Sequence, residues 1–530
     1  MRKVIRGKFC IESGENKITS SGTSVFSTSD VEVVCVASND IAAEIAESYR
    51  ENGFSFANKR EDMFLAVIND RSAKTLNIVA DITSSPLNMY YTVCNGMLYY
   101  GTSLRDVLID SSVERSIDVF AAKAFLANGY VFGEHTLITG INKPKFAHRL
   151  EASQEGVKQI QYQYSLNKTD TFLAKEELIP AIIDSVHDCV DDNENVYMPL
   201  SGGFDSNLIL DTVRKHTSRY INTITVGGNV GKNEISAVKQ NTAGIEGVTT
   251  HEVVLDESYF DRFTDIIWRL DGCVFESGVF LQYALAKKAA SIGAKNLICG
   301  ESSDEVQNKY YEESLTRVLS GDARNEEKYF TYSDPFVGTN MLILKKSSVM
   351  LNSFGIEGRY PFKNKKFVEA AVSVAKLNGT DKRYYKRQCR EHIGPDTVSS
   401  LQTSPGTTSM KMLVEDESFL ELNQQTEKYP IIQDVLNAQI FISQNERTAQ
   451  LRKQQKIQRA VSEIMTYGPI NGLKKIKQSM SSEPLKKSMK LLYLVIFHEL
   501  FISSKYDSYF SEDGAPIATK DLLQSIICEK

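Results

Sequence analysis

The sequence predicts an α+β domain followed by an α/β domain with a helical extension, and three patterns carry that prediction. Up to about residue 165, short β-type runs alternate with polar turns. From about residue 172, compact apolar strands are separated by helix-length segments. Strands joined by helices imply a parallel sheet, because parallel neighbours need crossover connections. Beyond about residue 365 the pattern is predominantly helical.

In order, the first domain offers strands at 31–38, 62–70 and 76–81, then a strand pair within 89–101 and a helix at 118–129. The second offers strands at 196–200, 220–228, 252–256 and 296–300, with helices at 207–216, 234–243 and 278–291 between them. A polar Ser/Thr-rich loop at 399–409 and an amphipathic segment at 485–503 follow. The cations from Arg447 to Lys490 are interleaved with acids, which reads as solvated helix faces rather than an anion-binding surface. There is no internal repeat.

A chain of 530 residues is long enough for about two to four domains. With 42% hydrophobic and 24% charged residues it is a globular composition, which excludes a disordered, collagen-like or rod-like chain. The 61 basic and 67 acidic residues give a net charge of −6, no field for nucleic acid or an anionic membrane. The apolar run Leu491 to Phe497 is far shorter than a bilayer span, and the first residues carry no signal-peptide pattern, so a cytoplasmic protein without nucleic-acid or membrane partners is expected. Eight scattered cysteines without a CxxC pair fit reduced, mostly buried thiols.

The informative stretch is Val196 to Leu210. An apolar strand ends at Leu200, the turn Ser201-Gly202-Gly203-Phe204-Asp205-Ser206 follows, and an apolar-periodic helix begins. Two glycines allow close backbone approach, and the helix start directs unpaired N–H groups and a positive dipole end to the same point, a seat for phosphate. The loop lacks the lysine of a Walker P-loop, so Asp205 would hold Mg²⁺ against a pyrophosphate. The alternative is a plain glycine turn in which Asp205 or Ser206 caps the helix.

SGGFDS resembles the pyrophosphate loop of the N-type ATP pyrophosphatases, and the chain resembles the asparagine synthetase family (class B-like) along nearly its whole length. The sequence GESSDE at 300–305 is similar to that family's GEGADE, IEGRYPFKNKKFVEAA at 356–371 to its EARVPF box, and DKRYYKRQCREHIGP at 381–395 to the basic helix before its LPEE turn. Trp268 to Phe280 stands where the family has an aspartate-containing segment, and Phe64 to Val107 resembles its glutaminase-like half. The resemblance implies a glutaminase-like, N-terminal-nucleophile-type sandwich over 1–165 and an adenine nucleotide alpha-hydrolase-like ATP-pyrophosphatase domain over 172–530. It implies ATP and Mg²⁺ as cofactors, and nucleotide contacts from Leu200, Ser201, Gly202, Gly203, Asp205, Ser206, Val226, Gly227 and Gly300. Asp205 and Asp304 would hold the metal, and Glu301 would bind or deprotonate an attacking amine, its proton affinity raised by neighbouring acids. Glu234 is either a ribose-side acid or a helix-terminal charge. Asp304 and Glu305 read alternatively as helix caps.

Two departures shape the expectation. Glutamine-using members carry cysteine after the initiator methionine, where this chain has Arg2, so the first domain is expected not to hydrolyse glutamine. The family's lysine near the acyl phosphate aligns with Gln402, leaving Lys382, Lys386 or Lys411 as substitutes. The resemblance therefore points to an AMP-forming amide ligase that closes an amide within a small-molecule or peptide substrate bearing a carboxylate and an amine. β-Lactam synthetases and lasso-peptide cyclases are the similar branches. Retention of Glu301 leans away from the former, the segment TLITGINK at 136–143 is similar to the latter, and a leader peptidase is a possible partner. An ammonia- or glutamine-fed asparagine synthetase and a weakened nucleotide-binding scaffold are the alternatives.

Overall fold

The computed structural model describes residues 2–37, 40–60, 63–81, 87–131, 133–145, 148–161, 170–190, 194–228, 234–272, 274–276, 278–303, 306, 344–378, 383–393, 429–437 and 488–528. The first half contains β1 (Val4–Cys10), β2 (Asn16–Ser21), β3 (Ser24–Ser27), β4 (Val31–Ala37), α1 (Ala42–Asn52) and α2 (Phe56–Lys59). After these come β5 (Phe64–Asp70), β6 (Thr75–Ala80), β7 (Tyr90–Cys94), β8 (Met97–Gly101), α3 (Leu104–Leu108), α4 (Val119–Asn128), β9 (His148–Ser153) and β10 (Gly156–Gln161).

They form two antiparallel sheets, ordered β2-β1-β8-β7 and β10-β9-β6-β5-β4-β3. Strand alternation explains the sandwich. Val34 and Val36 of β4 and Leu65 and Val67 of β5 meet Ile5, Phe9, Leu98 and Tyr100 of the facing sheet. The opposite faces of the same strands, with Val33, Cys35, Phe64 and Ala66, lie under Ile45 and Ala46 of α1. Both faces of β4 and β5 are thus covered, which is why their sequences read as continuous apolar runs.

The second half runs α5 (Thr171–His187), β11 (Val196–Pro199), α6 (Phe204–His216), β12 (Ile221–Gly228), α7 (Glu234–Thr242), β13 (Val248–Leu255), α8 (Phe263–Arg269), α9 (Val279–Ser291) and β14 (Asn296–Ile298). Next are α10 (Lys345–Ser353), β15 (Glu357–Arg359), α11 (Lys365–Asn378), α12 (Arg383–Ile393), α13 (Pro430–Asn437) and α14 (Thr519–Cys528). Strands β11, β12 and β13 pair in parallel, and β14 pairs in parallel with β15 beside β11. Parallel strands present their carboxyl ends along one edge, so the loops after β11, β12 and β14 open to a common side.

The segment 485–503 departs from expectation. Its described part is a helix at 488–497 closing in a π-turn at His498–Ile502, and Met489, Leu491 to Phe497, Leu500 and Phe501 are all buried. It is a core helix covered all round rather than an amphipathic surface helix. Tyr493 lies 4.8 Å from the Phe125 ring of α4 and 5.9 Å from Phe263 of α8, so it joins both halves in one apolar cluster. Gly129 ends α4 with φ of 84° and accepts a hydrogen bond from the Phe275 N–H at 2.6 Å; a side chain there would strike the Phe275 backbone. Arg105 and Asp271 form a buried ion pair at 3.7 Å between the halves, with the guanidinium 4.8 Å from the Trp268 ring. Cys35, Cys299 and Cys389 are buried thiols, whereas Cys10, Cys94 and Cys189 are partly exposed. No helix among the described residues is long and apolar enough to cross a membrane.

Candidate functional site

The loop between β11 and α6 is built by its own side chains. Leu200 remains in the sheet, its N–H donating to Ile224 and its carbonyl accepting from the Thr225 hydroxyl at 2.8 Å. Ser201 Oγ accepts from the Gly203 N–H at 3.1 Å and meets Ser206 Oγ at 2.9 Å. Buried Asn207 donates through Nδ2 to the carbonyls of Ser201, at 2.9 Å, and Gly203, at 2.7 Å. This internal bonding holds the turn in shape at the N-terminus of a 13-residue helix, where backbone N–H groups converge.

Asp205 occupies the first turn of α6, and its Oδ1 accepts from Ser303 Oγ at 2.9 Å and from Tyr385 Oη at 3.3 Å. The loop is thereby tied both to the segment after β14 and to α12. Gly300 packs beside the loop, a Cβ there standing in ordinary contact at 3.6 Å from the Ser206 nitrogen. Glu234 starts α7, is 5% exposed, and accepts from the Gly202 N–H at 3.2 Å. Burial pushes its carboxyl up to about 7, with the Gly202 hydrogen bond opposing.

These elements enclose a cavity of about 370 Å³, within the size range of small-molecule sites. Leu200, Ser201, Gly203, Asp205, Ser206, Val226, Glu234, Gly300 and Glu301 line it, and Leu281, Gln282 and Leu285 of α9 form the opposite wall. Gly227 instead packs against Ile235, whose side chain a Cβ there would crowd at 3.0 Å. Glu301 has its proton affinity raised, but burial is the leading cause and Lys346 opposes it; the neighbouring acids expected from sequence are not the source. Lys386 of α12 stands 5.9 Å from the Phe204 ring at the outer side of the loop. Asp304, Glu305, Lys382, Gln402 and Lys411 lie outside the described residues.

Sequence reasoning overlooked Gln282, Ser303, Ser347 and Tyr385. Ser303 stood inside the quoted GESSDE and Tyr385 inside the quoted basic helix, where a buried hydroxyl amid cations was the available signal. Gln282 and Ser347 carry no local signal, because each acquires its role from packing between α9 and α10.

The parallel sheet and this loop define an α/β domain of the ATP-pyrophosphatase type. Residues 177–330 match the family described as Asparagine synthase. The chain is 24% identical to the glutamine-hydrolyzing asparagine synthetase B of Escherichia coli strain K12 over 374 residues, 66% of this chain and 61% of that protein. It is 24% identical to the amidase chyE of Penicillium rubens over 281 residues, 48% of this chain and 41% of that protein. The chain therefore spans less than two thirds of the length of these relatives. A solved structure described as the allosteric regulatory enzyme of purine biosynthesis covers 77% of this chain and 85% of its own at a TM-score of 0.19 and 8% identity, a likeness that carries no weight. The likeness to the asparagine synthase family is thus carried by residues 177–330, the segment that holds the 201–206 loop.

Proposed function

We propose that this protein is an ATP-dependent, AMP-forming amide ligase acting within a substrate that carries both a carboxylate and an amine. The observation that carries the reading is the convergence of the 201–206 loop, Asp205 and Glu301 on one cavity inside the asparagine synthase domain. The loop N–H groups and the hydroxyls of Ser201 and Ser206 bind the pyrophosphate portion of ATP. Leu200 and Val226 line the nucleotide side of the cavity. The substrate carboxylate attacks the α-phosphorus, pyrophosphate departs, and the amine then displaces AMP from the acyl-adenylate, with Glu301 accepting the amine proton.

The fit to Mg²⁺ rests on Asp205. Among the described residues no three His, Cys, Asp or Glu side chains gather as a metal cage. A single carboxylate combined with nucleotide phosphates is nevertheless a usual Mg²⁺ arrangement. Asp205, with Asp304 as its proposed companion, would hold the ion, which when bound neutralises charge on the departing pyrophosphate.

The chain leading into β1 is held by structural bonds. Arg2 pairs with Asp513 at 3.5 Å, while Lys3 donates to the Ala37 carbonyl and to Glu357, each at 2.7 Å. On this reading the first sandwich is a glutaminase-like fold without glutaminase chemistry, and a leader peptidase that exposes the amine of a peptide substrate is a compatible partner.

The test is pyrophosphate release from ATP and Mg²⁺ with aspartate plus ammonium chloride, and separately with precursor peptides of lasso type. Peptide-dependent release with loss of water from the peptide mass supports cyclisation. Robust asparagine formation overturns it in favour of an asparagine synthetase, the reading that the similarity to the glutamine-hydrolyzing asparagine synthetase B supports.

A further inference from the structure

Away from the 201–206 loop the cavity wall is mostly apolar. Leu200 after β11 and Ile224 and Val226 of β12 line one side, and Leu281 and Leu285, one turn apart on α9, line the other. Two facing apolar walls suit a flat ring system, and a polar group set into such a wall fixes which ring edge is accepted. Gln282, 7% exposed, is the polar side chain that α9 brings to this wall among the described residues.

The orientation of that amide is set from below. Ser347 of α10 is fully buried, and its hydroxyl oxygen accepts from Gln282 Nε2 and from Tyr360 Oη, each at 3.0 Å. Two donors occupy both acceptor sites of the hydroxyl, so the amide turns its nitrogen towards α10 and its carbonyl away. Gln282 Oε1 makes no hydrogen bond to a described residue, yet it is not among the orphaned polar atoms sealed from solvent. It is therefore an unused acceptor at the wall of the cavity that Gln282 lines. Lys346 of α10 pairs with Glu276 just ahead of α9, a second tie that holds the two helices in this register.

We propose that Gln282 is the residue that selects the nucleotide base, its Oε1 accepting a hydrogen bond from the 6-amino group of adenine, an inference resting on the ligase reading above. Adenine carries an amino donor at C6, where hypoxanthine and guanine carry a carbonyl acceptor. An acceptor fixed in a buried wall complements the first and sets oxygen against oxygen in the other two. Because the amide is tethered to Ser347, it does not turn over to offer its N–H groups instead. The loop grips the phosphates of any nucleoside triphosphate, and the choice among them falls to α9.

The experiment is calorimetric binding of Mg·ATP, Mg·ITP and inorganic pyrophosphate to the full chain. The wild type is expected to bind ATP about tenfold or more tightly than ITP, the scale set by one hydrogen bond made against one acceptor left facing another. Gln282→Met, which keeps the volume and removes the amide, is expected to bring the two within about threefold, chiefly by weakening ATP. Pyrophosphate, which has no base, is expected to bind wild type and variant alike. Should the methionine variant not fold, Ser347→Ala frees the amide to turn and is expected to narrow the ratio in the same direction. An ATP-to-ITP ratio that neither variant changes overturns the inference, as does a wild type that prefers ITP, or a loss of pyrophosphate binding in Gln282→Met equal to its loss of ATP. Equal wild-type affinity for ATP and ITP overturns the inference alone, whereas a wild type that binds no nucleotide overturns the ligase reading and the inference with it.

Discussion

Glu234 accepts a hydrogen bond from the Gly202 N–H, so a buried carboxylate occupies one of the backbone donors of the phosphate-type loop. The sequence left Glu234 between a ribose-side acid and a helix-terminal charge. Its seat beside the loop sets it in competition with any anion that the Gly202 N–H would bind.

The pH dependence of stability tests that seat. Glu234 binds its proton more tightly when folded, at about 7 against an ordinary 4.5, so its contribution is greatest below pH 4.5 and is lost as pH rises to 7. The loss is on the order of 3 kcal/mol. Urea unfolding of Glu234→Gln at pH 5 and pH 8 is expected to show a smaller difference between the two conditions than the wild type.

Asp205 is the proposed metal-side carboxylate, and Tyr385 is its partner at 3.3 Å. Asp205→Ala is expected to weaken Mg·ATP binding more than tenfold by calorimetry, about the cost of losing a charge-assisted contact. Tyr385→Phe removes one of the two hydroxyl donors to that carboxylate while keeping its charge, and is expected to cost about threefold to tenfold. Equal losses for ATP with and without Mg²⁺ in Asp205→Ala would remove the metal role.

Ser302 adopts φ of 83°, a left-handed backbone, and its buried hydroxyl has no hydrogen-bond partner among the described residues. The related GEGADE sequence has glycine at the corresponding position, which reaches this conformation without penalty. Ser302→Gly is expected to raise unfolding stability by about 1 kcal/mol, read as a higher urea midpoint at unchanged slope.

Arg105 and Asp271 are 1% and 3% exposed and belong to opposite halves of the chain. Removing either partner strands a buried charge at a cost of about 3–5 kcal/mol. Arg105→Met and Asp271→Asn are each expected to lower the denaturant midpoint sharply. The double variant is expected to recover much of the loss, a coupling that a double-mutant cycle measures.

Sequence patterning located the strands whose faces are both buried. The apolar runs at 31–38, 62–70 and 220–228 became β4, β5 and β12 because continuous hydrophobicity, bounded by turns, has few other solutions. Strands β2 and β3 escaped notice because β2 is mostly polar, β3 is only four residues long, and both alternate between partial and full exposure. The loop 201–206 was legible because its glycines, acid and flanking elements are contiguous in sequence. The layer of Gln282, Ser347, Tyr360 and Lys346 was not, since it is assembled from α9, α10 and the residue after β15. The amphipathic reading of 485–503 failed where lysines and a histidine suggested a wet face; Lys490 instead reaches the Leu126 carbonyl at 3.0 Å while its stem lies in the core.

The core helix at 488–497 also ties the first half of the chain to the second. Its Tyr493 touches Phe125 on one side and Phe275 on the other, and Phe275 immediately precedes the glutamate that tethers Lys346. Excising the first half would therefore bare an aromatic seam directly behind the reactive cleft. The first half thus serves as a back wall, and its loss would loosen the cleft from behind.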